Sequence, residues 1–217
     1  MTADNRGLVL SPEALAYDEA YYERGVLTGK SCYSDYRWIP ELTIPLAATI
    51  VDYLGIPRGD SVVDIGCAKG YVVKALRWLG REAYGVDISS YAIEHADPEI
   101  ATYVSTTWPK VPMSYAIAKD VFEHFTPPDL ADYLATLRAD ILFVIVPLGD
   151  GDRYIAPANE MDITHVIRQP LTWWTQQMQE AGWRINSARF RVPGIKEHYA
   201  DIEGSMGFIV AERWRAD

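Results

Sequence analysis

One stretch constrains this chain more than any other. Ser61-Val62-Val63-Asp64-Ile65 reads as a short apolar strand, and Gly66-Cys67-Ala68-Lys69-Gly70 follows it directly. Val72, Val73, Leu76 and Leu79 then recur at helical spacing until Gly80, and Ala83-Tyr84-Gly85-Val86-Asp87 forms a second strand that ends on a carboxylate. Strand, glycine loop, helix and strand in that order make a βαβ unit, whose two strands lie parallel in one sheet. Its right-handed crossover places ligands at the carboxyl ends of the strands. The glycines let the loop turn sharply and let a ligand approach its backbone. Asp87, 21 residues after Gly66, is positioned for the two hydroxyls of a ribose. The loop spacing is Asp-x-Gly-x-x-x-Gly, which is neither Gly-x-Gly-x-x-Gly nor a phosphate-binding loop ending in Gly-Lys-Ser/Thr.

The rest of the chain continues the alternation. Ser11-Pro12-Glu13 opens a helix, which breaks between Gly25 and Gly29. Leu42, Leu46, Ala47, Ile50, Val51 and Leu54 mark a helix that stops at Gly55-Ile56-Pro57. Ser89-Ser90 caps a helix over Tyr91 to His95, and Thr126-Pro127-Pro128-Asp129 opens another that reaches about Arg138. Tyr103–Ser105 and Tyr115–Ala118 are strand candidates. Ile141 to Val146 is wholly apolar, as expected of a parallel strand covered on both faces. Leu171, Trp174, Met178 and Ala181 share a helical face closed by Gly182. Two late strands, near Arg184–Val192 and Met206–Glu212, suggest an antiparallel hairpin on one edge. The expected architecture is therefore α/β, a doubly wound mixed sheet with helices on both faces.

At 217 residues the chain suits one domain with a small appendage. Hydrophobic residues at 49% and charged residues at 23% exclude a disordered chain and a coiled coil. No apolar run is long enough for a membrane span, and no signal-peptide pattern opens the chain, so no membrane partner and a cytoplasmic location are expected. A net charge of −10 repels phosphate backbones and argues against nucleic acid as a partner. Two cysteines, Cys32 and Cys67, make no disulfide framework, and no Cys/His cluster supports a metal site. The carboxylate-rich segments Asp150–Arg153 and Asn159–Asp162 lack tight ligand spacing and read as solvated loops.

Val62-Val63-Asp64-Ile65-Gly66-Cys67-Ala68-Lys69-Gly70 resembles the first motif of the class I S-adenosylmethionine-dependent methyltransferases, and Gly85-Val86-Asp87-Ile88-Ser89 resembles their second-strand acidic motif. Asp120-Val121-Phe122-Glu123-His124-Phe125, Phe143-Val144-Ile145-Val146-Pro147 and the later Thr164-His165-Val166, Trp173-Trp174 and Ala181-Gly182-Trp183 are similar to segments of the small-molecule subgroup related to ubiquinone-biosynthesis enzymes. The resemblance spans about residues 45–212 and implies a seven-stranded Rossmann-like methyltransferase fold over 41–217, with residues 1–40 as an N-terminal helical, aromatic lid. It implies S-adenosylmethionine as cofactor. Asp64, Gly66 and Gly70, with Cys67 and Ala68 between the glycines, would shape the methionine end. Asp87 would hold the ribose and Ile88 would pack on adenine, with Thr106, Thr107 or Trp108 nearby. Asp120 and the backbone of Lys119 would lie near the sulfonium and the amino group.

Of four histidines, His124 and His165 lie just past expected strand ends, where a general base for a hydroxyl acceptor belongs. His95 lies on a helix, and His198 sits in a late loop that could close over the pocket. Tyr21, Tyr22, Tyr33, Tyr36 and Trp38 cluster around Gly25 and Gly29. Tyr22, Tyr33 and Tyr36 are candidates for a cover over the acceptor; plain packing on the domain body is the alternative. The expected activity is methyl transfer to an oxygen or nitrogen of a small molecule, by a monomer or homodimer. A nicotinamide-dependent oxidoreductase and a catalytically silent binding protein of the same fold are the competing readings.

Overall fold

The computed structural model describes residues 16–214; the expected helix start at Ser11 lies outside them. Two single-turn helices, α1 (Glu19–Tyr22) and α2 (Gly25–Thr28), lead into α3 (Pro40–Leu54). The Asp18 side chain accepts from the Tyr21 amide and caps α1, satisfying one of the free N–H groups at a helix start. Gly55 ends α3 in the left-handed conformation at φ 63°, as its sequence position predicts. The alternating core follows: β1 (Ser61–Ile65), α4 (Tyr71–Trp78), β2 (Glu82–Val86), α5 (Ser90–Glu94), β3 (Val104–Ser105), β4 (Met113–Lys119), α6 (Pro127–Thr136), β5 (Ala139–Pro147), α7 (Leu171–Glu180), β6 (Trp183–Arg189) and β7 (Met206–Arg213).

The sheet has seven strands in the order β3-β2-β1-β4-β5-β7-β6. β3 through β5 are parallel, and β7 runs antiparallel between β5 and β6. The late pair is antiparallel and lies at one edge of the sheet, as expected, with β7 paired to β5 and β6 as the outermost strand. Burial explains the order. Met206, Phe208, Ile209 and Ala211 of β7 are all buried, whereas β6 leaves Arg184, Asn186, Ala188 and Arg189 exposed. An apolar strand gains most from cover on both faces, and a polar one tolerates the solvated edge.

Alternate residues of the central strands feed two cores. Val62, Phe143, Ile145 and Phe208 pack with Ala47 and Ile50 of α3 and with Leu76 of α4. Val63, Leu142, Val144 and Ile209 pack with Leu130 and Leu134 of α6 and with Trp174 and Met178 of α7. Each fully buried aliphatic side chain contributes roughly 1.5–3 kcal/mol. Because both faces are covered, the carboxyl edge is where the chain presents polar loops. The strand order reverses between β1 and β4, and in sheets of this kind a ligand crevice lies at the carboxyl end of that switch point. Among the described residues, no helix is long and apolar enough to cross a membrane.

Candidate active site

The loop after β1 turns on three residues at positive φ, Gly66 (68°), Ala68 (49°) and Gly70 (79°). Ala68 is held in this unfavourable region by its amide, which donates to Asp87 Oδ2 at 2.7 Å. Ser89 donates its amide to the other oxygen, Oδ1, at 2.8 Å. Asp87 is thus buried just past β2 and tied to the first motif, and each of its oxygens keeps a further lone pair. Burial raises its carboxyl above the ordinary range, against the pull of the Ser89 and Ala68 amides. Cys67 is packed against Gly85, where a Cβ would lie 2.6 Å from its sulfur. Burial pushes the Cys67 thiol well up, so what Cys67 offers the crevice is backbone. Asp64 is buried on β1, and desolvation, only partly offset by Lys119, pushes it up to about 7. Ile88 is half exposed beside Asp87. Thr107 is exposed and shares a hydrogen bond with Ser105 at 3.1 Å.

Asp120 follows β4 at φ 56°. Lys119 Nζ lies 2.7 Å from its Oδ2, and Lys196 reaches the same oxygen from the loop after β6. Burial works against the Asp120 charge, but the two ammonium groups outweigh it and hold the carboxyl well below its usual range. The late loop does meet this site, through Lys196 rather than His198. His198 stacks on Tyr199 with centroids 4.3 Å apart, and the Tyr199 hydroxyl donates to Asn159 Oδ1. His95 stacks on Tyr91 at 4.1 Å, on α5 and its cap.

The two candidate bases meet. His124 and His165 have ring centroids 4.7 Å apart, although they are 41 positions apart in the chain. The Glu123 carbonyl brings them together by accepting the amides of Val166 and Ile167 at 2.7 and 3.0 Å. Thr164 Oγ1 donates to Asp162 Oδ1 at 2.5 Å, so toward His124 Nδ1, 2.8 Å away, it is an acceptor. His165 Nδ1 donates to the Asn159 carbonyl at 2.8 Å. Both rings therefore carry their proton on Nδ1 and present Nε2 as a lone pair. Burial, and for His124 the neighbouring His165, keep them neutral: His124 is pushed down to about 4 and His165 is lowered.

The segment from 16 to 38 lies on this edge. Tyr21, Tyr22, Tyr33 and Tyr36 pack against Ala68 and Ala92. Tyr33 and Tyr36 meet edge to face at 4.9 Å, and Tyr36 stacks on Tyr71 at 5.4 Å. Lys69 ties the loop to this layer through Glu23 at 2.6 Å and through the Tyr36 carbonyl at 2.9 Å. Ser89 Oγ donates to the Tyr17 carbonyl, and the Tyr17 ring meets His124 edge to face at 5.7 Å. The Asn159–Asp162 segment is solvated only in its middle: Glu160 and Met161 are exposed, whereas Asn159 and Asp162 are buried, and Asp162 accepts from Tyr21, Thr164 and the Thr164 amide.

Three residues here had no role in the sequence reading. Asp162 and Lys196 carry no local signal, since each gains its partner only through tertiary contact. Glu123 was readable as the neighbour of His124, but its burial was not.

Among curated proteins, no sequence matches this one. A family model described as a methyltransferase domain matches residues 41–188. Solved structures share the fold. One is an S-adenosylmethionine-dependent methyltransferase from Archaeoglobus fulgidus (TM-score 0.59, 16% identity, 77% of this chain and 92% of that one). Another is geranyl diphosphate C-methyltransferase from Streptomyces coelicolor A3(2), in complex with Mg2+, geranyl diphosphate and S-adenosyl-L-homocysteine (0.55, 17%, 77% and 78%). A third is the methyltransferase bound to its Trm112 activator from Haloferax volcanii (0.59, 13%, 82% and 92%). A seven-stranded sheet with β7 inserted antiparallel and a glycine loop after β1 defines an S-adenosylmethionine-dependent methyltransferase of class I. The chain belongs to the methyltransferase-domain family, and S-adenosylmethionine is its methyl donor.

Proposed function

We propose that this enzyme methylates an oxygen or nitrogen of a small-molecule acceptor, a hydroxyl above all, held between the N-terminal segment and the histidine pair. The observation that carries this reading is the convergence of His124 and His165, both with Nδ1 engaged, at the edge of the sheet that also carries Asp87 and Asp120.

The crevice suits the donor. Asp87 is buried, charge-capable and left with lone pairs for two ribose hydroxyls. Gly66, Ala68 and Gly70 turn the backbone around the methionine end, with Asp64 beneath. Ile88 and Thr107 border the adenine side, and Asp120 with the Lys119 backbone faces the amino group. S-adenosylmethionine supplies a methyl already activated on a sulfonium. The remaining work of the protein is alignment and, for a hydroxyl, proton removal. A histidine Nε2 takes the hydroxyl proton as the oxygen bonds to the methyl, and the electron pair of the broken C–S bond stays on sulfur. His165 is the favoured base, with His124 beside it. Tyr22, Tyr33 and Tyr36 act as a cover that excludes water, and a covered site of this kind suits a small acceptor.

The test is transfer of labelled methyl from S-adenosylmethionine to a panel of small hydroxyl, amine and carbon acceptors. Labelling of hydroxyl acceptors that falls about 10²–10⁴-fold in His165→Ala or His124→Ala supports the reading. Labelling confined to carbon acceptors, or unchanged rates in both variants, overturns it.

A further inference from the structure

Glu123 is an anomaly in this site. It is fully buried, and among the described residues neither of its carboxylate oxygens has a hydrogen-bond partner. Burying a carboxyl without a partner is unfavourable, so this residue type is poorly explained by packing. What its Oε1 faces is His165 Nε2, at 3.8 Å, too far for a hydrogen bond. The network above leaves that nitrogen a lone pair, and no hydrogen bond joins it to the carboxyl.

His124 completes the set. One ligand-capable atom from each of Glu123, His124 and His165 lies within 4.8 Å of the others. Two imidazole nitrogens and one carboxylate oxygen at such mutual distances make the donor set of a divalent transition ion. Such an ion takes imidazole and carboxylate at about 2.0–2.2 Å, so two ligands on one ion stand up to about 4.4 Å apart, and the 3.8 Å gap falls within that span. The outer contacts also match, because a ligating histidine normally donates its other N–H to a carbonyl or a polar side chain. His165 gives its Nδ1–H to the Asn159 carbonyl and His124 gives its own to Thr164, which is itself held by Asp162. Lys119 and Lys196, the nearby cations, are both engaged by Asp120.

We infer that Glu123, His124 and His165 form a binding site for a divalent first-row transition ion at the acceptor side of the site. Imidazole-rich donors favour zinc, cobalt or iron over magnesium. The inference rests on the hydroxyl acceptor of the reading above and replaces its base: an ion here acidifies a coordinated hydroxyl, and histidines that hold an ion do not take its proton. The two roles are thereby separable.

The experiment titrates the chelator-treated full-length protein with Co2+, followed by visible absorption and by calorimetry, and with Mg2+ as a parallel probe. The expected result is one Co2+ per chain with ligand-field bands, weakened about tenfold or more in Glu123→Gln and in His165→Ala, unchanged in His198→Ala, and not displaced by equal Mg2+. Circular dichroism of each variant checks folding. Should Glu123→Gln fail to fold, nitrogen NMR of the wild-type imidazoles on adding Zn2+ decides the matter, with Nε2 of both rings shifting. Absence of saturable Co2+ binding, or stoichiometric binding retained in both site variants, overturns the site. Methyl transfer to hydroxyls that persists without metal, with the histidine variants still slow, overturns the metal role while leaving the histidine-base reading standing.

Discussion

The hydroxyl of Tyr21 donates to Asp162 Oδ2 at 2.6 Å, across 141 positions of sequence. Asp162 holds Thr164 through its other oxygen, and Thr164 accepts from His124. The N-terminal segment is therefore wired to the histidine pair by a run of buried and part-buried hydrogen bonds, and to the first-motif loop by Lys69.

Tyr21→Phe keeps the ring and removes the bond. It leaves Asp162 a buried oxygen without its phenol donor, which costs about 1–3 kcal/mol. Chemical denaturation should show that loss. Turnover should fall with S-adenosylmethionine affinity unchanged, because the bond orders the acceptor side. A fall in cofactor affinity equal to the fall in turnover contradicts this division.

Asp87 holds two backbone amides and, in the proposed reading, the ribose as well. Asp87→Ala would free both amides and disturb the loop, so Asp87→Asn is the sharper variant. Losing the charge weakens bonds worth on the order of 1.5–3 kcal/mol. Calorimetry should therefore show S-adenosylmethionine binding about tenfold or more weaker in a folded protein. Unchanged affinity removes Asp87 from the cofactor site.

Asp64 gives a pH signature. Folding raises its carboxyl from 3.8 to about 7, so between those values the folded state holds a proton that the unfolded chain has released. Its contribution to stability falls as pH rises through that window, and the full cost is present above it. Asp64→Asn removes the cost. The variant should be more stable than wild type at pH 8, by about 2–4 kcal/mol, with the difference closing near pH 4. Denaturant melts across that range measure it; a variant no more stable at pH 8 refutes the assignment.

The histidines act in the opposite direction. His124 is pushed down to about 4 from 6.5, so below 6.5 the unfolded chain takes up a proton that the folded state refuses. Its contribution is lost as pH falls from 6.5 toward 4. In the histidine-base reading the neutral form is the base, so kcat for a hydroxyl acceptor should stay level through pH 6.5 and fall only well below it, where the lowered histidines take up their protons. A rising limb centred above pH 7 would assign the base elsewhere. The tyrosines of the cover are poor substitutes, since burial raises Tyr17, Tyr22, Tyr33 and Tyr36 far above neutrality.

Local chemistry made much of this protein readable in one dimension. Glycines at 66 and 70, an apolar run at 141–146 and an acid at 87 are constraints of backbone and burial that act within a few residues, so the parallel sheet, the crevice edge and the first-motif loop follow from the sequence itself. The placement of β7 was only half readable, because its apolar residues require an interior position but do not say beside which strand. Tertiary structure alone decided the pairing of His124 with His165, since it depends on Val166 and Ile167 donating to the Glu123 carbonyl. The same holds for Tyr21 on Asp162 and for Lys196 on Asp120. Long-range polar contacts of this kind leave no periodic mark in a sequence. A side chain's partner, its burial and the proton it carries are set by whatever the fold brings within about 3 Å of it.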